Sequence, residues 1–142
     1  MTRRWITGTL LLILFFSLAA CGAPAASTPE QAVQTWLSTW TQMDLDSMLK
    51  LASPGYQAQV KSFYGHEFVM YAKVSFKDLT IAKLSEASNE AKVQADFLVE
   101  LESPSSVPSL AGMVIRSTVR QVFSLVKGND GWLVDGIDRQ PL

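Results

Sequence analysis

Apolar residues recur at helical spacing in the first half of this chain and at strand spacing in the second. Ala32, Val33, Trp36, Leu37, Trp40 and Met43 fall at three- and four-residue intervals, which predicts one amphipathic helix. Thr28-Pro29-Glu30-Gln31 precedes it as an N-cap threonine, a proline at the first helical position and a glutamine at N3, a capping-box start. Asp44 or Asp46 caps a second, short helix carrying Leu45, Met48, Leu49 and Leu51, and Ser53-Pro54-Gly55 ends it. Tyr56 to Tyr64 has a weaker helical pattern through Val60 and Phe63. Gly65 is expected to break that helix, with a further turn over His66 to Tyr71.

The period then changes to two. Val93, Ala95, Phe97, Val99 and Leu101 alternate with Lys92, Gln94, Asp96, Glu100 and Glu102, the pattern of an antiparallel strand with one buried face. Val74 to Leu84 is strand-like but shifts phase, from Val74 and Phe76 to Leu79 and Ile81, and a β-bulge near Lys77-Asp78 would reconcile the two halves. Met113 to Lys127 presents Met113, Ile115, Val119, Phe123 and Leu125 on one face and Arg116, Thr118 and Arg120 on the other. Lys127 to Gly131 forms a turn into a last strand, Trp132 to Asp138, and Ser103 to Gly112 reads as a loop. Helices followed by about four antiparallel strands predict an α+β fold with the helices on one face of a sheet.

The only long apolar run lies at the amino terminus and has another meaning. Arg3 and Arg4 precede the uncharged stretch Trp5 to Ala20, the layout of a signal peptide. The stretch is shorter than the roughly 20 residues of a spanning helix. It ends in Leu18-Ala19-Ala20-Cys21-Gly22, and Cys21 is the only cysteine of the 142 residues. This ending resembles the lipobox of bacterial lipoproteins. The resemblance implies lipidation of the Cys21 thiol, cleavage before it and acylation of the new amino terminus. An ordinary cut after Ala23-Pro24-Ala25 is the competing reading. Residues 1–20 are then the signal peptide, 21–27 a lipidated tether, and 28–142 a single domain, held within roughly 20 Å of a cell membrane or outer membrane. Loss of Arg3 and Arg4 leaves 10 basic residues against 13 acidic ones, a balance near −3. That gives no electrostatic case for nucleic acid.

Order and local motifs carry a second resemblance. Pro29-Glu30-Gln31-Ala32-Val33 opens a Trp-containing helix and Met43-Asp44-Leu45-Asp46 starts the next. Asp78-Leu79-Thr80-Ile81 falls in the bent strand, and Asp130-Gly131-Trp132-Leu133-Val134-Asp135-Gly136-Ile137 in the closing one. From Thr28 to Asp138 the chain resembles the nuclear transport factor 2-like superfamily, also called ketosteroid isomerase-like. The resemblance implies a curved sheet wrapped on a long helix around a conical apolar cavity. Such domains include isomerases, dehydratases and non-catalytic binding modules, and their outer sheet face often forms a homodimer.

Catalytic chemistry finds little purchase in the pattern. A ketosteroid isomerase-type site needs an inward carboxylate beside an acid pair. Tyr56, Tyr64 and Tyr71 are available, but Asp96, Glu100 and Glu102 lie on the polar strand face. His66, the single histidine, would have to pair with Asp44 or Asp46 for a dehydratase-type site, and a surface position beside Gly65 and Glu67 is the simpler placement. No metal-ligand spacing, phosphate loop or nucleophile elbow is present in the sequence, so no metal or cofactor is expected. The remaining candidate is a mostly apolar pocket lined by Trp36, Trp40, Phe63, Phe97, Ser117, Val119, Gln121 and Phe123, with Phe68 beside them. The same aromatics would equally fill a core. The sequence reading is therefore a non-catalytic, membrane-anchored domain that binds an envelope protein or a small apolar ligand. The alternative is a tethered isomerase, dehydratase or cyclase.

Overall fold

The computed structural model describes residues 26–140. The signal peptide, the cleavage region and Cys21 lie outside the described residues.

The first helix, α1 (Pro29–Gln42), begins as its sequence dictates. The Thr28 side chain accepts a hydrogen bond from the Gln31 backbone N–H at 3.2 Å. The return bond of the box is shifted by one residue, because Gln31 Oε1 accepts from both the N–H and the hydroxyl of Ser27. Met43 ends α1 in the left-handed region, with φ of 55°. Asp44 then caps α2 (Leu45–Leu51) through the backbone and hydroxyl of Ser47.

The third helix, α3 (Gln57–Met70), runs through Gly65 instead of breaking there. A glycine inside a helix costs about 1 kcal/mol relative to alanine, which tertiary packing outweighs here. Gly65 faces α2, and a β-carbon on it would sit in ordinary contact, 3.6 Å from the Leu45 side chain. The expected turn over His66 to Tyr71 is thus the last part of α3, with Tyr71 as its C-cap.

The strands β1 (Lys73–Glu86), β2 (Glu90–Glu102), β3 (Val114–Lys127) and β4 (Trp132–Gln140) form one antiparallel sheet in the order β1-β2-β3-β4. The expected bulge is present: Asp78 and Leu79 together oppose Phe97, and Asp78 has φ of 53°. The extra residue moves the inward set of β1 from Val74 and Phe76 to Ile81. A second irregularity in β4 sets Asp135 between Val134, opposite Leu125, and Gly136, opposite Ser124. It returns Ile137 and Arg139 to the phase of the inward residues Phe123 and Gln121.

Helix α1 packs against the inner sheet face. Val33, Trp36, Leu37 and Trp40 meet Val93, Phe97, Phe123, Leu125 and Val134 in the core. Trp40 packs edge-on to Phe76 and Phe97, with ring centroids 4.9 and 6.3 Å apart. Edge-to-face geometry of this kind adds about 0.5–1.5 kcal/mol per pair beyond the buried area.

Two strand expectations need correction. β4 continues two residues past Asp138, to Gln140, so Arg139 joins the sheet. Met113 and Ile115 are also not buried, at 48% and 39% exposure. The last β3–β4 pair is Arg120 with Gln140, so Val114 to Val119 have no β4 neighbour to extend the covered face.

Candidate functional site

A cleft of about 720 Å³ opens where α3 leaves the short end of β4. That volume falls in the range of small-molecule sites, about 300–1,000 Å³. Its position follows from two anchors. Ser53 is buried at the α2–α3 connection; its N–H donates to the Val134 carbonyl at 2.8 Å and its hydroxyl donates to Asp135. These bonds fix the start of α3 on the β4 bulge. At the other end, the Ala72 N–H donates to the Glu102 carbonyl at 2.8 Å. Between the anchors, residues of α3 face Leu101 of β2 and Arg139 near the end of β4 across the cleft.

One helix face lines the cleft. Gln59, Phe63, Glu67 and Met70 follow at intervals of four, four and three residues, joined by Ser62, His66 and Tyr71. Leu101 of β2 and Arg139 of β4 form the sheet side. The Arg139 guanidinium lies over the Phe63 ring, 4.7 Å from its centroid, a cation–π arrangement. Among the described residues the ion pairs go to Lys77, Lys83, Arg116 and Arg120, and none includes Arg139.

Glu67 is half-buried, and its Oε2 has no hydrogen-bond partner. Burial pushes its carboxyl pKa above the usual range, while the nearby Arg139 charge pulls in the opposite direction. The tyrosines behind the cleft respond in the same way. Burial raises the Tyr64 phenol, which accepts a hydrogen bond from Trp36 Nε1 at 3.3 Å. Burial also raises Tyr56, against the influence of the Ile137 backbone and Arg139. The cleft therefore offers one cation, one carboxyl group whose pKa burial raises, an exposed imidazole and apolar walls.

The residues named from sequence are distributed unevenly about this cleft. Phe63 lines it and is 45% exposed. Trp36, Trp40, Phe97 and Phe123 are buried in the core, and Phe68 packs half-buried against it. Val119 is half-buried and Ser117 is exposed on the uncovered part of β3. Gln121 is fully buried, and neither its Oε1 nor its Nε2 has a partner. It neighbours Arg139 across the β3–β4 register. His66 reaches the cleft, but Asp44 is occupied with capping Ser47 and is not joined to it.

Gln59, Ser62, Glu67, Met70, Leu101 and Arg139 line the cleft and were not among the candidate residues of the sequence, whereas Tyr71 was named there only as an available acid. The helical stripe from Gln59 through Phe63 and Glu67 to Met70 was a usable signal once α3 was continued past Gly65. Arg139 required knowledge of the bulge at Asp135, which inverts the phase of β4. On the outer sheet face, Arg116 and Arg120 pair with their cross-strand neighbours Glu100 and Asp96 at 2.7 and 2.8 Å. Among the described residues no three His, Cys, Asp or Glu side chains gather as metal ligands would.

Comparison with known proteins agrees with this architecture. A nuclear transport factor 2-like superfamily protein from Salmonella enterica superposes with a TM-score of 0.65 at 17% identity, over 78% of this chain and 86% of that one. A proposed dehydratase of the same family from Streptomyces avermitilis gives 0.63 at 14% identity, over 78% and 92%. A ketosteroid isomerase-like protein from Erwinia carotovora atroseptica gives 0.60 at 12% identity, over 80% and 94%. No protein-family model and no curated protein sequence matches the chain. The chain has the nuclear transport factor 2-like fold: three helices followed by a curved antiparallel sheet of four strands.

Proposed function

We propose that this protein is a lipid-anchored, extracytoplasmic binding protein whose α3–β4 cleft takes a small, mostly apolar ligand. The cleft itself is the observation that carries the reading: about 720 Å³ bounded by Phe63, Met70, Tyr71 and Leu101, with a few polar groups at its wall. Sites for small molecules have this composition. The anchor rests on the sequence, on Cys21 at the end of the signal-like run. Among the described residues no helix is long and apolar enough to cross a membrane.

Ala26, the first described residue, and the cleft residue Arg139 lie toward opposite ends of β4. The Ala26 carbonyl accepts a hydrogen bond from the Trp132 N–H at 3.2 Å, at the start of β4. Arg139 is seven residues further along the strand, about 20 Å away at about 3.3 Å per residue. A lipid on Cys21 would put the β3–β4 hairpin nearest the bilayer and turn the cleft mouth outward. Ligand would then enter from the aqueous side.

Native mass spectrometry of the full-length protein, released from detergent, tests the binding reading. Adducts of small apolar molecules are expected, and Met70→Trp should displace them by obstructing the mouth of the cleft. Spectra without adducts in both proteins, or adducts indifferent to Met70→Trp, would contradict it.

Glu67 favours a second reading, a tethered isomerase, dehydratase or cyclase. A carboxyl group with its pKa raised by burial is suited to general acid–base work. The readout is deuterium exchange at the α-carbon of a cyclic ketone such as 2-tetralone. Exchange that depends on the protein and is lost in Glu67→Gln would support catalysis. Exchange no faster than in buffer would count against it.

A further inference from the structure

Resting on the binding reading above, we propose that the ligand class of this cleft is an apolar monocarboxylate. The edge of the Arg139 guanidinium and the Glu67 carboxyl hold its head, and Met70, Tyr71 and Leu101 contact its hydrocarbon part.

Arg139 supplies the first half of the argument. The central carbon of its guanidinium lies 4.7 Å from the centre of the Phe63 ring. That cation–π contact holds the group at the cleft wall without using its N–H donors. A guanidinium has five donors and no acceptor, in a fork that matches a carboxylate. No carboxylate of the described residues forms an ion pair with it. By contrast, Arg120 on the outer face shows the satisfied form: Nε and Nη2 donate to the two Asp96 oxygens at 2.8 and 2.9 Å. The same fork at Arg139 is presented to a cleft.

Glu67 supplies the second half. Its Oε2 is buried without a partner. A buried polar atom left in that state costs about 1–3 kcal/mol, so a ligand that bonds to it gains by doing so. An ionised Glu67 would repel a carboxylate. Burial raises its pKa, and a ligand carboxylate beside it raises it further, since of two carboxyl groups sharing a site one takes up a proton, which then bonds between them. A ligand carboxylate between Arg139 and a neutral Glu67 meets one cation and one O–H donor, and both cleft groups become satisfied. A cationic head would face the Arg139 charge and offer its fork no acceptor. The walls decide the remainder of the molecule: Met70 is a flexible apolar side chain at the mouth, 52% exposed, and Leu101 lies opposite it on the sheet.

The test uses two photoactivatable probes on full-length protein in membranes: a diazirine-bearing decanoic acid and its methyl ester. Labelled peptides are mapped by mass spectrometry. The acid should label the α3 segment in the wild type, and Arg139→Gln should lower that labelling about tenfold or more, as for loss of a charge-assisted pair. Ester labelling should fall far less than acid labelling in Arg139→Gln, and the retained ester signal reports that the cleft is still formed. Glu67→Gln should retain acid labelling, because its amide still donates, whereas Glu67→Ala should lose it. Equal labelling by acid and ester, with acid labelling indifferent to Arg139→Gln, overturns the monocarboxylate inference and leaves the apolar binding reading standing. Absence of cleft labelling by either probe overturns both.

Discussion

The Arg139 guanidinium lies 4.7 Å from the centre of the Phe63 ring, and this contact joins the last strand to the third helix across the mouth of the cleft. It ties two segments that are distant in sequence and whose positions depend on separate irregularities, the glycine inside α3 and the bulge in β4. At a partly exposed site a cation–π contact contributes about 0.5–1 kcal/mol. Phe63→Leu should therefore cost little global stability. It should release Arg139 and weaken acid-probe labelling more than ester labelling. Urea unfolding and the labelling comparison together measure both effects.

Gln121 is a polar residue without partners in an apolar core. Gln121→Leu, close in volume, should raise unfolding free energy by about 1–3 kcal/mol by removing two unsatisfied groups. Chemical denaturation of the two proteins gives the comparison. Destabilisation would show that the amide has a partner such as a buried water.

Phe97 meets both Trp40 and Phe76 in the centre of the core. Phe97→Ala should cost about 3–5 kcal/mol through lost burial and the cavity left behind. Ser53→Ala, which removes one hydroxyl bond to Asp135, should cost about 1 kcal/mol. The larger consequence of that change is a loosened start of α3, visible as faster amide exchange at Tyr56 and Gln57, whose N–H groups donate to the Ser53 carbonyl.

The pH dependence of stability has two opposite contributions. Asp44, Asp96 and Glu100 have carboxyl pKa values lowered, first of all by hydrogen bonds from Ser47, Arg120 and Arg116 respectively. Each contributes stability that is present above its unfolded value and is lost as pH falls through its folded value. Glu67 is raised by burial, so its contribution is present below its unfolded value and is lost as pH rises through the folded one. Relative to wild type, Glu67→Gln should be more stable near neutral pH than near about pH 4. Unfolding curves at the two pH values decide this, and an equal difference at both would contradict it.

The lipid anchor makes its own predictions. Cells fed labelled palmitate should label the wild type and not Cys21→Ser. A fluorophore at Asn129, in the β3–β4 hairpin, should be quenched by spin-labelled lipid more strongly than one at Val107, in the β2–β3 loop. The reverse order would mean that the cleft end faces the bilayer.

Much of the fold was legible because its elements are locally consistent. The stripe from Ala32 to Trp40, the Thr28 and Asp44 caps and the alternation of β2 each name a structure without tertiary help. The phase shift around Asp78 even located a bulge, since only an extra residue lets Phe76 and Ile81 share a face. The site was less legible for equally physical reasons. Gly65 carries a breaker's propensity, and its packing against Leu45 is invisible in the sequence. The β4 bulge has only a faint phase signal, the change from Trp132 and Val134 to Ile137, which apolar Leu133 and side-chain-free Gly136 obscure. Arg139 therefore read as a residue beyond the last strand, and Glu67 as a neighbour of His66. Core and pocket aromatics also share one pattern. Trp36 and Phe63 both fit an apolar stripe, and only the end of β4 separates the buried ring from the exposed one.

The most direct measurement of the central claim is the map of photolabelled peptides on full-length protein in membranes after exposure to the diazirine-bearing decanoic acid. If the α3–β4 cleft is the binding site, adducts concentrate between Gln59 and Tyr71, at Leu101 and at Arg139, and Met70→Trp removes them. Adducts confined to the outer sheet face around Thr118, or unchanged by Met70→Trp, would contradict it.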